Sequence, residues 1–225
     1  MGEGRIKFNN KLEESTQKDI EMRVKSLKEA IVWMFVGMRD RVRNGEYDLI
    51  IGEDASGRIP TLVIKKVIDA AYGDKFFHPK TVFFAGRSNQ EEVLEFMLKN
   101  EIHSEKRVLV VTDAIFSGSS IMGIITALKK QGMAFDVATL GSNSGIKEWI
   151  ESFSSGKVFV GFKDHVPLVY EQREMSGVRK TTGDLHSESY VKMTENSQGQ
   201  KVVDYTREQI DELAGDLITE LLPKL

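Results

Sequence analysis

The residues best suited to chemistry follow a short apolar run, Val108 to Val111, that is typical of a buried strand. They are Thr112, Asp113, Ala114, Ile115, Phe116, Ser117, Gly118, Ser119 and Ser120. Small and hydroxylated residues let backbone N–H groups converge on an anion, and the helix that follows directs its positive dipole end to the same point. This segment therefore predicts an anion cradle, suited to phosphate, at a strand-to-helix connection.

A second segment with suitable composition follows an earlier apolar run, Asp48 to Gly52. Its polar residues are Glu53, Asp54, Ser56, Gly57 and Arg58, and Pro60 opens the next helical pattern. Glycine allows a close approach of backbone to an anion, and arginine offers a two-pronged donor to phosphate oxygens. The two carboxylates are oxygen ligands of the kind that Mg²⁺ takes. Taken alone, this loop is as typical of an ordinary strand-to-helix connection as of an anion site. It becomes informative because a second loop suited to phosphate occurs at a neighbouring position.

Composition excludes several other chemistries. The 225 residues include no cysteine, which excludes disulfides, thiolate zinc sites and cysteine nucleophiles. The cradle contains neither a Gly-Lys-Ser/Thr loop nor a Gly-x-Gly-x-x-Gly fingerprint, and no histidine base lies near its serines. The four histidines show no metal-ligand spacing.

The charge balance bears on partners and location. With 31 basic and 34 acidic residues the net charge is −3, which argues against a nucleic-acid partner. No apolar run reaches the roughly 18 residues of a membrane-spanning helix, and the first 15 residues contain no apolar signal region. We therefore expect a cytoplasmic protein with a small-molecule substrate and no membrane partner.

The segment from Val108 to Ser120 resembles the phosphoribosyl diphosphate (PRPP) loop of type I phosphoribosyltransferases. That motif has four apolar strand residues, two acids, two apolar residues, two threonine-like residues, glycine, a small residue and Thr or Ser. Here the strand matches, Asp113 matches the second acid, and Ala114 and Ile115 match the apolar pair. The hydroxyl-glycine cradle is matched by Ser117, Gly118, Ser119 and Ser120. With the strand and helix order, the resemblance extends over roughly residues 47–162.

The resemblance implies Mg²⁺-dependent transfer of a phosphoribosyl group from PRPP to a nucleobase or related acceptor, with release of pyrophosphate. It implies that residues 117–120 hold the 5′-phosphate and that Asp113 contacts the ribose. It implies diphosphate contacts from the second loop, at Asp54, Ser56, Gly57 and Arg58. The expected catalytic residues are Asp113 and Arg58, and the expected metal ligands are Asp113 and Asp54. Further expected substrate contacts are Thr112, Ala114, Ile115, Phe116 and Arg87.

Departures from the family pattern bear on turnover. Thr112 stands where the motif has its first acid, and Phe116 replaces a small polar residue. The long mobile loop of active members is missing, since Gly86-Arg87-Ser88 runs directly into a helical pattern. The basic stretch 176–184 is either a lid or a solvated loop. Phe162, with Lys163 and Asp164, faintly resembles the base-reading strand of purine-type members, although such a strand more often belongs to the core.

The elements that position these loops follow from hydrophobic periodicity. We expect one long helix over 12–43 and a C-terminal helix over 206–222, where Thr206 and Gln209 would form a capping box. Between them alternate strands at 48–52, 81–85, 107–111, 135–140 and 157–162, and helices at 60–71, 90–99, 120–131 and 146–153. This order predicts an α/β fold with a mostly parallel sheet flanked by helices. Residues 163–203 lose periodicity and predict an irregular lobe or lid within one domain, 1–225.

Three hypotheses remain open. The leading one is a phosphoribosyltransferase acting on PRPP and an acceptor base. The second is a non-catalytic PRPP- or nucleotide-binding regulatory protein of the same fold, and the third is a different phosphate-binding α/β protein. The family resemblance, together with amphipathic helices at both ends of the chain, makes a homodimer a reasonable expectation.

Overall fold

The computed structural model describes residues 12–84, 90–99, 101–102, 107–143, 145–153, 156–162, 173–179, 188–189 and 197–225. Its central element is a sheet of five parallel strands: β1 (Tyr47–Glu53), β2 (Lys80–Phe84), β3 (Arg107–Ile115), β4 (Phe135–Ser142) and β5 (Val158–Phe162). The strand order is β2-β1-β3-β4-β5. This confirms the predicted α/β class and the parallel sheet.

Helices precede, connect and follow these strands. They are α1 (Glu14–Lys25), α2 (Lys28–Arg43), α3 (Arg58–Tyr72), α4 (Gln90–Lys99), α5 (Met122–Lys130), α6 (Ile146–Phe153), α7 (Arg173–Ser176) and α8 (Ser197–Leu221). A two-residue antiparallel pair, β6 (Val178–Arg179) with β7 (Glu188–Ser189), lies between α7 and α8. A short 3₁₀ helix, Leu222–Lys224, follows α8.

The strand order fixes where a ligand crevice can form. From β1 the chain crosses to β2 on one side, and from β3 it continues to β4 and β5 on the other. Neighbouring β1 and β3 are therefore the point at which the direction of winding reverses. In open α/β sheets ligands bind outside the carboxyl ends of the strands at this switch point.

Alternation along the strands divides the core into two layers. Ile50, Leu109 and Leu140 face one cluster, which α1, α2, α3 and α8 complete. Leu49 and Val110 face a second cluster, which α4, α5 and α6 complete. The helices that follow β1 and β3 thus pack on opposite faces of the sheet, yet both begin at its carboxyl edge.

The single helix predicted over 12–43 is wrong, because the chain breaks between α1 and α2. The Ser26 hydroxyl donates a hydrogen bond to the Arg23 carbonyl (2.7 Å), and the Leu27 amide bonds to Val24, only three residues back. The break lets α1 pack on α8 while α2 packs on β5. Serine competition for the helix backbone is a local signal that the apolar periodicity conceals.

Two other predicted boundaries are wrong. The final helix begins at Ser197 rather than at 206, so Thr206 lies inside it and its hydroxyl bonds to the Val202 carbonyl (2.7 Å) instead of forming a capping box. Strand β3 continues to Ile115, because Ala114 and Ile115 still pair with β4 at Gly141 and Ser142. The first half of the predicted cradle is therefore strand.

A buried polar cluster joins the amino ends of the strands, opposite the switch point. The Asp136 carboxylate accepts hydrogen bonds from the Tyr47 hydroxyl (3.0 Å) and the Lys157 amide (2.8 Å), and pairs with Arg41 Nε (3.0 Å). Arg107 lies 3.7 Å away. Burial, with Asp136 beside it, raises the pKa of the Tyr47 phenol far above its ordinary value. The cluster ties four strands and α2 together.

No helix in the described part of the chain combines the length and the apolar character that crossing a bilayer requires.

Candidate functional site

The two predicted loops meet at the carboxyl edge of β1 and β3. The register pairs Gly52 with Val111, which places Glu53 beside Thr112. The Thr112 hydroxyl donates to Glu53 Oε2 (2.5 Å) and lies 3.4 Å from Asp113 Oδ1. Two carboxylates and one hydroxyl are thus brought together from two strands at the switch point.

The predicted site residues that lie on β3 are mostly buried, and their side chains have different partners. Asp113 is only 8% exposed, and its Oδ1 accepts a hydrogen bond from the Ala114 amide (2.8 Å). Thr112 is buried with its hydroxyl on Glu53, and Ile115 packs in the second core layer. Strand register therefore places the buried Glu53 carboxylate beside Thr112, which sequence spacing does not reveal.

The loop after β3 contains the residues of the predicted anion cradle. The Ser117 and Ser119 hydroxyls lie 2.9 Å apart on the surface, and Gly118 between them has φ +75°. Ile121 precedes α5 without a side-chain cap, and the first turn of α5 contains no acid. The amides of Ile121 and Met122 already bond to the Gly118 carbonyl (3.2 and 3.1 Å), so this helix end offers an anion chiefly its positive dipole end. Phe116 is exposed at the entrance to the loop.

An aromatic side chain supports this loop from behind. A Cβ placed on Gly118 would lie 3.0 Å from Trp149 Cζ3, so the indole of α6 touches the loop backbone. Trp149 is 37% exposed and is a natural fluorescent reporter of the loop. Sequence alone does not bring these residues together, because they come from different strand-to-helix connections.

We expect Gly118→Ala to lower the free energy of unfolding by about 1–2 kcal/mol, because alanine is strained at positive φ. It should also shift the emission of Trp149, which must move to admit the methyl group. Gly132→Ala is the matched control, with φ +68° and no atom within 4 Å of its Cβ. Equal emission spectra for the two variants would show that Trp149 does not support the loop.

The connection between β1 and α3 is tightly turned. Ala55 has φ 68°, and the Ser56 amide bonds to the Asp54 carbonyl two residues back (3.1 Å), which describes a strained γ-turn. A Cβ on Gly57 would lie 2.7 Å from the Glu53 carbonyl and 3.1 Å from Thr112 Cα. Gly57 is therefore required because any side chain there would collide with β1 and β3. The sequence suggests a different reason, the close approach of an anion.

Arg58 begins α3 and is held on two sides. Its Nε donates to Asp54 Oδ1 (2.7 Å), and its guanidinium lies 4.2 Å from the centre of the Phe83 ring. The first turn of α3 contains no acid, and Gly57 gives it no side-chain cap. The first turns of α1, α2, α4 and α6 all carry glutamate. The two connections at the switch point thus lead into helices that have no acid in the first turn, a feature that α8 shares.

The donor set fits the expected Mg²⁺ only in part. Asp54 is 3% exposed in its side chain, and its Oδ1 already accepts from Arg58 and from the Ala55 amide. Within the described residues no group of three His, Cys, Asp or Glu side chains could hold a metal ion. Asp113 remains as one carboxylate for an ion that is otherwise held by phosphate oxygens and water, as Mg²⁺ commonly is.

Part of the irregular lobe lies beside the second loop. A shallow groove at the start of α3 is lined by Arg58, Ile59, Leu62, Met175, Ser176, Val203, Arg207 and Ile210. Ser176 to Arg179 of the predicted lid are described, and 180–184 lie outside the described residues. So do Arg87, Lys163 and Asp164, whose predicted roles stay predictions. Phe162 is partly buried against the first core layer.

Comparison with known proteins adds little to this geometry. No family model matches the chain, and no curated protein matches it either. Among solved structures it is similar to a purine phosphoribosyltransferase from Pyrococcus horikoshii Ot3, at 16% identity over 66% of this chain and 85% of that one, with a TM-score of 0.35. A similarity this remote carries no conclusion about function, which must rest on the site itself.

Proposed function

We propose that the chain binds PRPP at the switch point and transfers its phosphoribosyl group to a nucleobase or related acceptor, releasing pyrophosphate. One observation supports this most: the connections that precede α3 and α5 both lie at the switch point near Asp113, and neither helix has an acid in its first turn. PRPP carries phosphate groups at both ends of a ribose. Two anion sites separated by a carboxylate match that distribution of charge and hydroxyls.

The loop after β3 suits the 5′-phosphate. The Ser117 and Ser119 hydroxyls hydrogen-bond to each other at 2.9 Å on the surface, which leaves one O–H of the pair to donate to a phosphate, and α5 begins just after them. Nothing acidic lies in that first turn to repel a dianion. Asp113 would accept hydrogen bonds from the ribose hydroxyls.

The connection before α3 suits the diphosphate. Arg58 places a guanidinium at the start of α3, paired through its Nε with Asp54. The reaction forms a bond from a ring nitrogen of the acceptor to C1 of the ribose and breaks the bond from C1 to the diphosphate oxygen. Pyrophosphate leaves with the bonding electrons, and the acceptor nitrogen loses its proton. Neutralising the leaving group is the main task, and Arg58 would perform it. A bound Mg²⁺ would supply further charge neutralisation on the diphosphate.

A non-catalytic PRPP-binding protein is the second candidate. The observation that favours it is Thr112, which replaces an acid and uses its hydroxyl on buried Glu53 rather than on a ligand. Such a chain would keep both phosphate sites but would not break the C1–O bond.

Pyrophosphate release separates the two candidates. The chain is incubated with PRPP, Mg²⁺ and a panel of purine and pyrimidine bases, and pyrophosphate is measured with a coupled assay. The transferase predicts base-dependent release that Arg58→Ala lowers by at least about 100-fold, since charge stabilisation of a leaving group is worth several kcal/mol. Tight PRPP binding without release against any base would favour the regulatory protein.

A further inference from the structure

The side chain of Arg58 is held in place by contacts that the sequence does not predict. The register pairs Gly52 of β1 with Phe83 of β2, and a Cβ on Gly52 would lie only 2.6 Å from Phe83 Cε1. The ring therefore lies directly over the glycine backbone. The Arg58 guanidinium lies over the same ring, 4.2 Å from its centre. The ring thus contacts both the glycine and the guanidinium.

The edge of the guanidinium is fixed as well. Arg58 Nε donates to Asp54 Oδ1 at 2.7 Å, and Asp54 is 3% exposed in its side chain. Asp54 is itself oriented by the Ala55 amide, which donates to the same oxygen (2.9 Å). Within the described residues the two Nη groups of Arg58 donate no hydrogen bond, and a quarter of its side chain is exposed. The arginine is thus held by its face and its Nε, while its two terminal nitrogens remain available.

We propose that Phe83, seated on Gly52, and Asp54 are positioning residues that hold Arg58 as a preorganised two-pronged donor for the diphosphate. The proposal rests on the proposed function for the identity of the ligand. An arginine that is already ordered loses less rotamer entropy when it binds phosphate oxygens, and stacking on an aromatic face orders it without using its donors. It also gives Asp54 a role different from that of a metal ligand.

The Phe83 part of the proposal is tested with inorganic pyrophosphate and ribose 5-phosphate as separate ligands in calorimetry. We expect Phe83→Leu to weaken pyrophosphate binding about tenfold, the size of a partly desolvated cation–π contact. Ribose 5-phosphate, which lacks the diphosphate, should change less than twofold. Phe77→Leu is the matched control, because Phe77 is almost fully exposed and away from Arg58.

A double-mutant cycle with Arg58→Ala separates positioning from general damage. If Phe83 acts through Arg58, Phe83→Leu should change pyrophosphate affinity less than twofold once the arginine is removed. An equal loss in both backgrounds, or an equal loss for both ligands, would overturn the positioning role. So would an Arg58→Ala chain that binds pyrophosphate normally. An unchanged chain that binds neither ligand would contradict the proposed function itself, and the positioning role with it.

The Asp54 part has its own readout. Asp54→Asn keeps the shape but weakens the hold on Arg58 Nε, so pyrophosphate affinity should fall about threefold to tenfold even in buffer with EDTA and no Mg²⁺. A metal ligand would behave differently, since its loss would appear only when Mg²⁺ is present. A loss of affinity confined to the Mg²⁺-containing titration would overturn this part and would indicate that Asp54 is a metal ligand.

Discussion

Asp136→Ala is expected to destabilise the chain by about 3 kcal/mol, which corresponds to a fall in melting temperature of roughly 6–12 °C. Asp136 is fully buried and accepts from the Tyr47 hydroxyl, the Lys157 amide and Arg41 Nε. Removing the carboxylate leaves a buried phenol and an arginine without their shared acceptor. Unpaired buried groups of this kind cost far more than a surface ion pair contributes.

Glu46→Ala is the matched control for that measurement. Glu46 pairs with the same two arginines, at 3.0 Å from Arg41 and 3.3 Å from Arg107, but its side chain is a third exposed. Its loss should cost no more than about 1 kcal/mol, the usual limit for an exposed pair. Thermal or urea unfolding that shows equal losses for the two variants would contradict the view that burial makes Asp136 the centre of the cluster.

Ser117→Asp is expected to abolish PRPP binding at accessible concentrations, with a loss of at least about 100-fold. The substitution places a carboxylate in the Ser117–Ser119 hydroxyl pair just before the α5 N-terminus, where the account places a phosphate dianion. Two unit charges 4 Å apart repel by about 4 kcal/mol at an effective dielectric constant of 20, and solvent reduces this only partly at the exposed loop. The effect is read directly by calorimetric titration.

The matched control for this charge is Ser26→Asp, an exposed serine between α1 and α2. It adds the same charge away from the carboxyl edge and should leave PRPP affinity within about twofold. Circular dichroism of both variants establishes that they are folded. Retention of PRPP binding by Ser117→Asp would show that this loop does not bind the 5′-phosphate.

The sheet and its helices are largely predictable from this sequence, because apolar strand runs and helical periodicity are local signals. The limits of α4 and α6 agree with the periodicity. The break at Ser26 has a local signal that apolar periodicity conceals, whereas the extension of β3 to Ile115 and the early start of α8 depend on strand pairing and packing partners. Periodicity reports which residues are apolar, but it does not report what they pack against.

The candidate site shows the same division. The composition of the two loops was readable, and the structure brings both to the switch point. The partners within them were not readable: Glu53 beside Thr112 depends on the β1–β3 register, and Phe83 beneath Arg58 depends on the β1–β2 register. Register is a tertiary property, so the side chains that become neighbours across two strands cannot be read from either strand alone.

Titration of the unchanged chain with PRPP, with and without Mg²⁺, is the most direct test of the central claim. The account predicts saturable one-to-one binding that is tighter with Mg²⁺, weaker for ribose 5-phosphate, and lost in Ser117→Asp. Because each end of PRPP has its own anion site, neither phosphate nor pyrophosphate alone should reach the same affinity. No saturable binding under either condition would contradict a PRPP site at the carboxyl edge of β1 and β3.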